Sequence, residues 1–284
     1  LKVPSIPITP NSRDVRNALA VLDDVMRDFP FADQASRANA LATQITSVCR
    51  SGIPGRIPAA LVTSPSKGAG KGLFVDAVVI PATGRTAVKS AVPNDEDEWR
   101  KAITSLLKKG QTHIVFDNAE GQLNSPQLAR ALTAEFYGDR ILGTNDTTEF
   151  PQNSLWYVTG NNLELGGDMP RRCYPIRIDP KVSLPSERTG FRHHPLEDYV
   201  REHRGEIIAA ALTLARAWFV AGQPPGPGPV FGSFEPWRQI LAGILHFAGI
   251  EKFLGNLPQM FSEMDQDVPA WEGFTSSWYT NLGD

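Results

Sequence analysis

The chain has 284 residues, enough for one large domain or two moderate ones around a sizeable core. A formal net charge of −3 excludes a globally basic surface, so a polyanion has to be met by a local patch. No apolar run approaches a membrane span, no secretory signal opens the chain, and Cys49 and Cys173 lie far apart; the expectation is a reduced, cytoplasmic protein with no membrane partner.

The proline-rich opening LKVPSIPITPN (1–11) reads as a linker, and a first residue of Leu1 as the start of a piece of something longer. SRDVRNALAVLDDVMRDF follows, with Ser12 as the expected N-cap, Val15, Leu19, Leu22 and Val25 at helical spacing, and Pro30 as the stop. A second helix is expected over 36–50, closed by Gly52 and Pro54. RIPAALVTS then gives a buried strand over 57–62, followed by a Gly-rich turn and a helix over 71–79. RTAVKS reads as a short strand, and DEDEWRKAITSLLKKG as a helix with acidic residues at its start and lysines at its end. HIVFD is a buried strand, SPQLARALTAEFY a helix with Ser at the N-cap and Pro at N1, and LWYVTG and YPIRID are further strands. Strands alternating with helices imply an α/β fold, a mostly parallel sheet with helices on both faces. Past about Pro180 the strands stop. One amphipathic helix is expected over 195–221, with Leu196, Val200, Ile207, Ala211, Leu214 and Trp218 on one face. A Pro/Gly hinge (222–233), a helix over 236–253 and an aromatic-rich tail complete the chain.

The stretch SPSKGAGKGLF matches a phosphate-binding loop of the form G-x-x-x-x-G-K-[ST] at Gly70 and Lys71, with Pro65 in place of the first glycine and Gly72 in place of the hydroxyl. Backbone N–H groups of Ser66, Lys67, Gly68, Ala69, Gly70, Lys71, Gly72 and Leu73 can ring a phosphate at the head of the next helix, and Lys71 can reach the β- and γ-phosphates of ATP. A Gly-rich strand-to-helix turn with a surface lysine reads the same stretch without any ligand. Pro65 only shapes the start of the turn. Gly72 is the heavier departure, because the missing hydroxyl helps to hold Mg2+.

Three further stretches stand in the right order. HIVFDNAEG ends a strand on Asp117, a carboxylate placed to hold the water shell of Mg2+, followed by Asn118 and then Glu120 as candidates for polarising water. LWYVTGNN delivers Asn161, which can position the attacking water as a polar sensor. GGDMPRRCYPIRID puts Arg171 and Arg172 ahead of a final strand, where an arginine can reach the γ-phosphate of a neighbouring subunit. An Asx turn, a Gly-Asn turn and a solvated arginine pair explain each stretch singly. Loop, carboxylate, asparagine and arginine together, each at a strand end, favour a nucleotide site.

With these residues in view, the chain resembles the AAA+ helicase-like ATPases of phages and mobile genetic elements, related to superfamily 3 and minichromosome-maintenance helicases. The resemblance runs over about 28–255, through DFPFADQASRANALA, SKGAGKGLF, IVFDNAEG and most specifically TGNN…GDMPRR…IRID. It implies a P-loop NTPase (AAA+/ASCE) parallel sheet flanked by helices, with N-terminal helices in a core over 12–182 and a helical lid region over 183–284. It also implies an ATP- and Mg2+-dependent ring, a hexamer, that translocates on single-stranded DNA during replication. Lys71, Asp117 and Asn161 match the Walker A lysine, the Walker B aspartate and the first sensor, and Arg171 and Arg172 the arginine-finger region. The Walker B glutamate has no match at Asn118, which leaves Glu120 as the candidate.

RILGTNDTTEFPQN (140–153) fits a DNA-gripping hairpin with turn residues Asn145 and Asp146, though its tip carries no Lys or Arg. Lys89, Lys108 and Lys109 are other basic points, each read as part of a solvated face. Arg201, Arg204 and Arg216 are equal candidates for a second sensor. Trp218, Trp237, Trp271 and Trp278 read as packing residues, and His193-His194 as a loop and not a metal pair. A nucleotide-binding assembly or scaffold module with little or no hydrolysis is the alternative function, favoured by Gly72 and Asn118; a small-molecule kinase lacks an arginine-rich lid.

Overall fold

The computed structural model describes residues 1–140, 147–182, 184–264 and Trp278. Helix α1 (Ser12–Met26) is capped by Asn11, one residue before the expected Ser12. The Asn11 side chain accepts the Arg13 and Asp14 amides, and Asp14 takes the Asn11 amide in return, a reciprocal box that a serine hydroxyl at Ser12 would not complete. Helix α2 (Gln34–Cys49), capped by Asp33, is buried on nearly every face.

The alternating part runs β1 (Ala59–Ser64), α3 (Lys71–Thr83), β2 (Lys89–Ala91), α4 (Glu96–Lys108), β3 (His113–Ala119), β4 (Gln122–Leu123), α5 (Pro126–Thr133), β5 (Phe136–Arg140), β6 (Thr147–Pro151), β7 (Leu155–Asn161), β8 (Glu164–Leu165) and β9 (Cys173–Arg177). Five of these strands form one sheet in the order β2-β3-β7-β1-β9, every pair parallel. The central strands are buried on both faces, which is why they read as continuous apolar runs. Their C-terminal ends therefore open on one edge, and β7 stands between the loop-bearing strand β1 and the carboxylate-bearing strand β3. The result is an α/β fold, a five-stranded parallel sheet flanked by helices.

Beyond the sheet, α6 (Leu196–Glu202), α7 (Arg204–Val220), α8 (Glu235–Phe247) and α9 (Leu257–Met264) pack on α1, α2, α3 and β9. The expected 195–221 helix is interrupted at His203, where the backbone leaves the helical region. Its apolar face nonetheless continues through the break, from Leu196 to Trp218. The opening segment packs just past the break: the Lys2 carbonyl lies against Gly205, where an added Cβ would stand 2.0 Å from it. Arg216 also donates to the Ile6 and Pro7 carbonyls, so the opening segment lies along α7.

Helix α5 stops at Thr133 instead of running to Tyr137. Phe136 onward joins β5, which pairs antiparallel with β6, and Tyr137 is buried there under the Arg130 guanidinium at 4.4 Å. The hairpin thus begins earlier than the expected 140–153, and its tip with Asn145 and Asp146 lies outside the described residues, as does Trp271. Helix α8 ends at Phe247, short of 253, with Gly249 in the left-handed region just after it. Trp218 and Trp237 are buried, each indole N–H bonded, to the Pro224 carbonyl and the Thr46 hydroxyl; Trp278 is exposed. Burial pushes the Cys49 and Cys173 thiols up to about 12, so neither is a ready nucleophile.

His113 shows how tightly the centre is committed to the neutral state. The Ser47 hydroxyl gives its proton to the Val78 carbonyl, so its oxygen accepts from His113 Nε2, and Thr112 serves Nδ1. Burial lowers the His113 pKa from 6.5 to about 4. A folded pKa below the unfolded one means that this stability is present above pH 6.5 and is lost as pH falls towards 4. The unfolding free energy from urea titrations is expected to drop by about 2 kcal/mol between pH 7 and pH 4.5 through this residue, and His113→Gln to flatten that slope.

Candidate nucleotide site

Strand β1 ends on Ser64, and the chain turns over residues 65–70 into α3. Gly68 and Gly70 have φ of 75° and 90°, a left-handed backbone that L side chains adopt only under strain. The turn exposes its donors: the amides of residues 67–73 bond to no protein group among the described residues. Seven unspent N–H groups at the head of a helix fit a phosphate, and Ser66 through Leu73 all lie on this rim. Pro65 causes no break at the start of the turn, where its carbonyl accepts from Asn162 at 3.4 Å.

Lys71 is the first residue of α3, and its ammonium donates to Asn161 Oδ1 at 2.6 Å. The loop lysine and the strand-end asparagine therefore meet across β1 and β7. Burial pulls the Lys71 pKa below the ordinary lysine range, and the negative charge of Asp117 pulls it partly back. Asp117 Oδ1 accepts the Thr159 hydroxyl at 2.6 Å, and the Thr159 oxygen accepts the Asn118 amide at 2.9 Å. Asn118 takes the left-handed φ of 58°, and the β3–β7 register slips between Phe116 and Ala119. That bulge turns Asn118 and Glu120 out to solvent, where their side chains approach at 3.5 Å. Thr159 is the joint of this edge, and its only sequence signal was a hydroxyl ending an apolar strand.

The arginines divide. Arg172 donates to the Ala129 carbonyl at 2.8 Å, to the Thr133 hydroxyl and to Asp168, tying its turn to α5. Arg171 donates only its backbone amide, to the Asp168 carbonyl at 3.2 Å; its side chain is exposed and makes no hydrogen bond or salt bridge among the described residues. None of the three second-sensor candidates turns to the loop. Arg201 pairs with Asp198, Arg204 donates to the Pro81 and Ala82 carbonyls at the end of α3, and Arg216 holds the opening segment. Helix C-termini attract cations, which accounts for Arg204.

Beside the loop lies a cavity of about 360 Å³, lined by Gly68, Gly70, Leu73, Phe29, Arg188 and Phe191 among others. Sequence reasoning missed it because its walls come from 24–29 and 185–197. Asp179 and Ala32 amides tie 30–32 to the end of β9, bringing Phe29 to 3.5 Å from where a Gly70 Cβ would stand. On the other wall Ser186 packs on Gly68, and Arg188 donates to the Asp28 carbonyl. His193 bonds Asp24 at 2.7 Å and stacks on Tyr199 at 3.5 Å, so it builds a wall. Among the described residues no group of three or more His, Cys, Asp or Glu side chains could hold a metal ion alone. Among the described residues none hydrogen-bonds Asp117 Oδ2, which fits Mg2+ held by one carboxylate, water and phosphate oxygens.

No family model matches the chain, and no curated protein matches it. Among solved structures, the apo A form of the NrS-1 C-terminal region superposes with a TM-score of 0.43 at 13% identity, over 75% of this chain and 48% of that one. A structure of its residues 305–718 gives 0.42 at 12%, over 74% and 45%. JCV helicase bound to an acetamide compound gives 0.34 at 14%, over 88% and 73%. The chain thus spans less than half the length of the NrS-1 region. Superpositions this partial carry no weight for chemistry, which is read from the site itself.

Proposed function

We propose that the chain is an ATPase of the AAA+ type, a ring-forming motor that acts on DNA as a helicase or translocase in replication of a phage or mobile element. The observation that carries the ATPase reading is the meeting of Lys71 and Asn161 beside Asp117, under a rim of unspent amides. In this reading the amides of residues 67–73 hold the β-phosphate, Lys71 neutralises charge on the γ-phosphate, and Asn161 orients the water that attacks phosphorus as the bond to ADP breaks. Mg2+, when bound, would offset phosphate charge beside Asp117. In this reading Glu120 would accept the proton that this water loses, with the Asn118 amide beside it. The Phe29–Phe191 cavity would take the base and sugar.

Steady-state ATP hydrolysis with Mg2+, with and without single-stranded DNA and across protein concentration, tests this. The motor reading expects turnover that rises with concentration and with DNA. Binding without turnover, indifferent to DNA, selects the second reading, an assembly module that uses ATP to fix a conformation. Gly72 and the neutral Asn118 favour that reading.

Thr159 offers a test within the site. Thr159→Val keeps the shape and deletes both hydrogen bonds, leaving the Asn118 amide and Asp117 unpaired. Stability is expected to fall by about 1–3 kcal/mol in urea titrations. Turnover is expected to fall about 10–100-fold, with Thr159→Ser recovering most of it.

A further inference from the structure

We infer that Lys89 is a built-in cation of the nucleotide site, standing where a hydroxyl at position 72 would otherwise recruit Mg2+, so that nucleotide is held with little dependence on the metal. The inference rests on the nucleotide-binding reading above. It starts from Gly72, the residue that breaks the loop pattern. A Cβ built on Gly72 would lie 3.2 Å from Lys89 Nζ and 3.7 Å from its Cε. The ammonium therefore borders the volume that a serine or threonine side chain would fill, and the glycine is what lets it in.

The lysine is mounted there. Lys89 opens β2, opposite Val115, two positions before the pair Ala91 and Asp117. Its side chain runs towards α3, where Asp76 lies one turn past Gly72. Asp76 Oδ2 accepts Lys89 Nζ at 2.7 Å and Oδ1 accepts the Ala87 amide at 2.9 Å, so both oxygens hold the same segment. The Asp76 side chain is only 6% exposed, whereas that of Lys89 is 35% exposed. The buried end of the pair is thus the anion, and the cationic end faces the open side at Gly72. An ammonium has three donors; one is spent on Asp76, and the described residues supply no partner for the other two. With Lys71 and the N-terminus of α3, this gives the phosphate site a second fixed positive charge. A hydroxyl at position 72 and an ammonium in this place compete for one volume, which couples residues 72 and 89.

The test is equilibrium binding of a fluorescent, non-hydrolysable ATP analogue in Mg2+ and in EDTA, for the wild type, Lys89→Met and Gly72→Ser. Wild-type affinity in EDTA is expected to stay within about threefold of that in Mg2+. Lys89→Met is expected to weaken binding in EDTA about tenfold, the size of one partly screened charge pair, and to weaken it less in Mg2+. Gly72→Ser, which displaces the ammonium, is expected to raise the ratio of Mg2+ to EDTA affinity in the same direction, without removing a charge. The wild-type ratio needs no variant to fold. Binding that requires Mg2+ in the wild type and is unchanged by Lys89→Met overturns this inference and leaves the nucleotide site standing. No binding in either buffer overturns both.

Discussion

Lys71→Ala is expected to abolish ATP turnover, by about a thousandfold, while leaving the protein as stable as before or more so. The two halves of this expectation have one cause. Lys71 is 9% exposed, and among the described residues its ammonium hydrogen-bonds only the neutral amide oxygen of Asn161. A charge taken out of water and met by a neutral group is costly; the lowered pKa is the signature of that cost, with Asp117 repaying only part of it. A bound triphosphate would complete the pairing. Without nucleotide the ammonium is held at a loss, as functional charges often are. Deleting it removes the cost and the catalytic charge together. Thermal melting is expected to show an unchanged or higher midpoint, and the nucleotide-induced rise in midpoint is expected to vanish. Retained turnover in Lys71→Ala would mean that the loop is a structural turn, and a large fall in midpoint that the ammonium is a structural anchor.

How much of this was legible beforehand follows from the range of the interactions. The parallel sheet was legible, because strands buried on both faces leave unbroken apolar runs such as HIVF and LWYV. Asp117 and Asn161 could be named because each closes such a run, and Lys71 because it follows the Gly-rich turn after another; a parallel sheet opens all those ends on one edge. What sequence spacing could not show was which polar groups are already spent. Arg204 looked equal to Arg201 and Arg216, yet it is committed to the last carbonyls of α3, more than a hundred residues away. Lys89 read as one solvated cation among several, because its bond to Asp76 and its approach to Gly72 both cross from β2 to α3. The cavity at Phe29 and Phe191 is made by segments about 160 residues apart. Local propensity also lost to long-range pairing in α5, whose helical pattern continued into residues that β6 claims for a strand.

The arginine pair carries the other large expected effect, and it separates a ring from a monomer. Arg172 is expected to be structural. Its guanidinium joins Ala129, Thr133 and Asp168, and it is the chief reason that the Asp168 carboxyl is held below the usual range. Arg172→Ala is therefore expected to cost about 1–3 kcal/mol of stability, read in urea titrations, with activity falling only as folded protein is lost. Arg171 has no such ties, so Arg171→Ala is expected to leave stability within about 0.5 kcal/mol. If Arg171 reaches the γ-phosphate of a neighbouring copy, the same change lowers turnover by about 10³–10⁵, the range for a finger supplied in trans. The decisive step is to mix two inactive variants, Lys71→Ala and Arg171→Ala. In a head-to-tail ring each site takes Lys71 from one copy and Arg171 from the next. Random mixing leaves about a quarter of the interfaces with both residues intact, and turnover is expected to return in proportion. A site built within one chain has both residues in the same copy, and mixing would recover nothing.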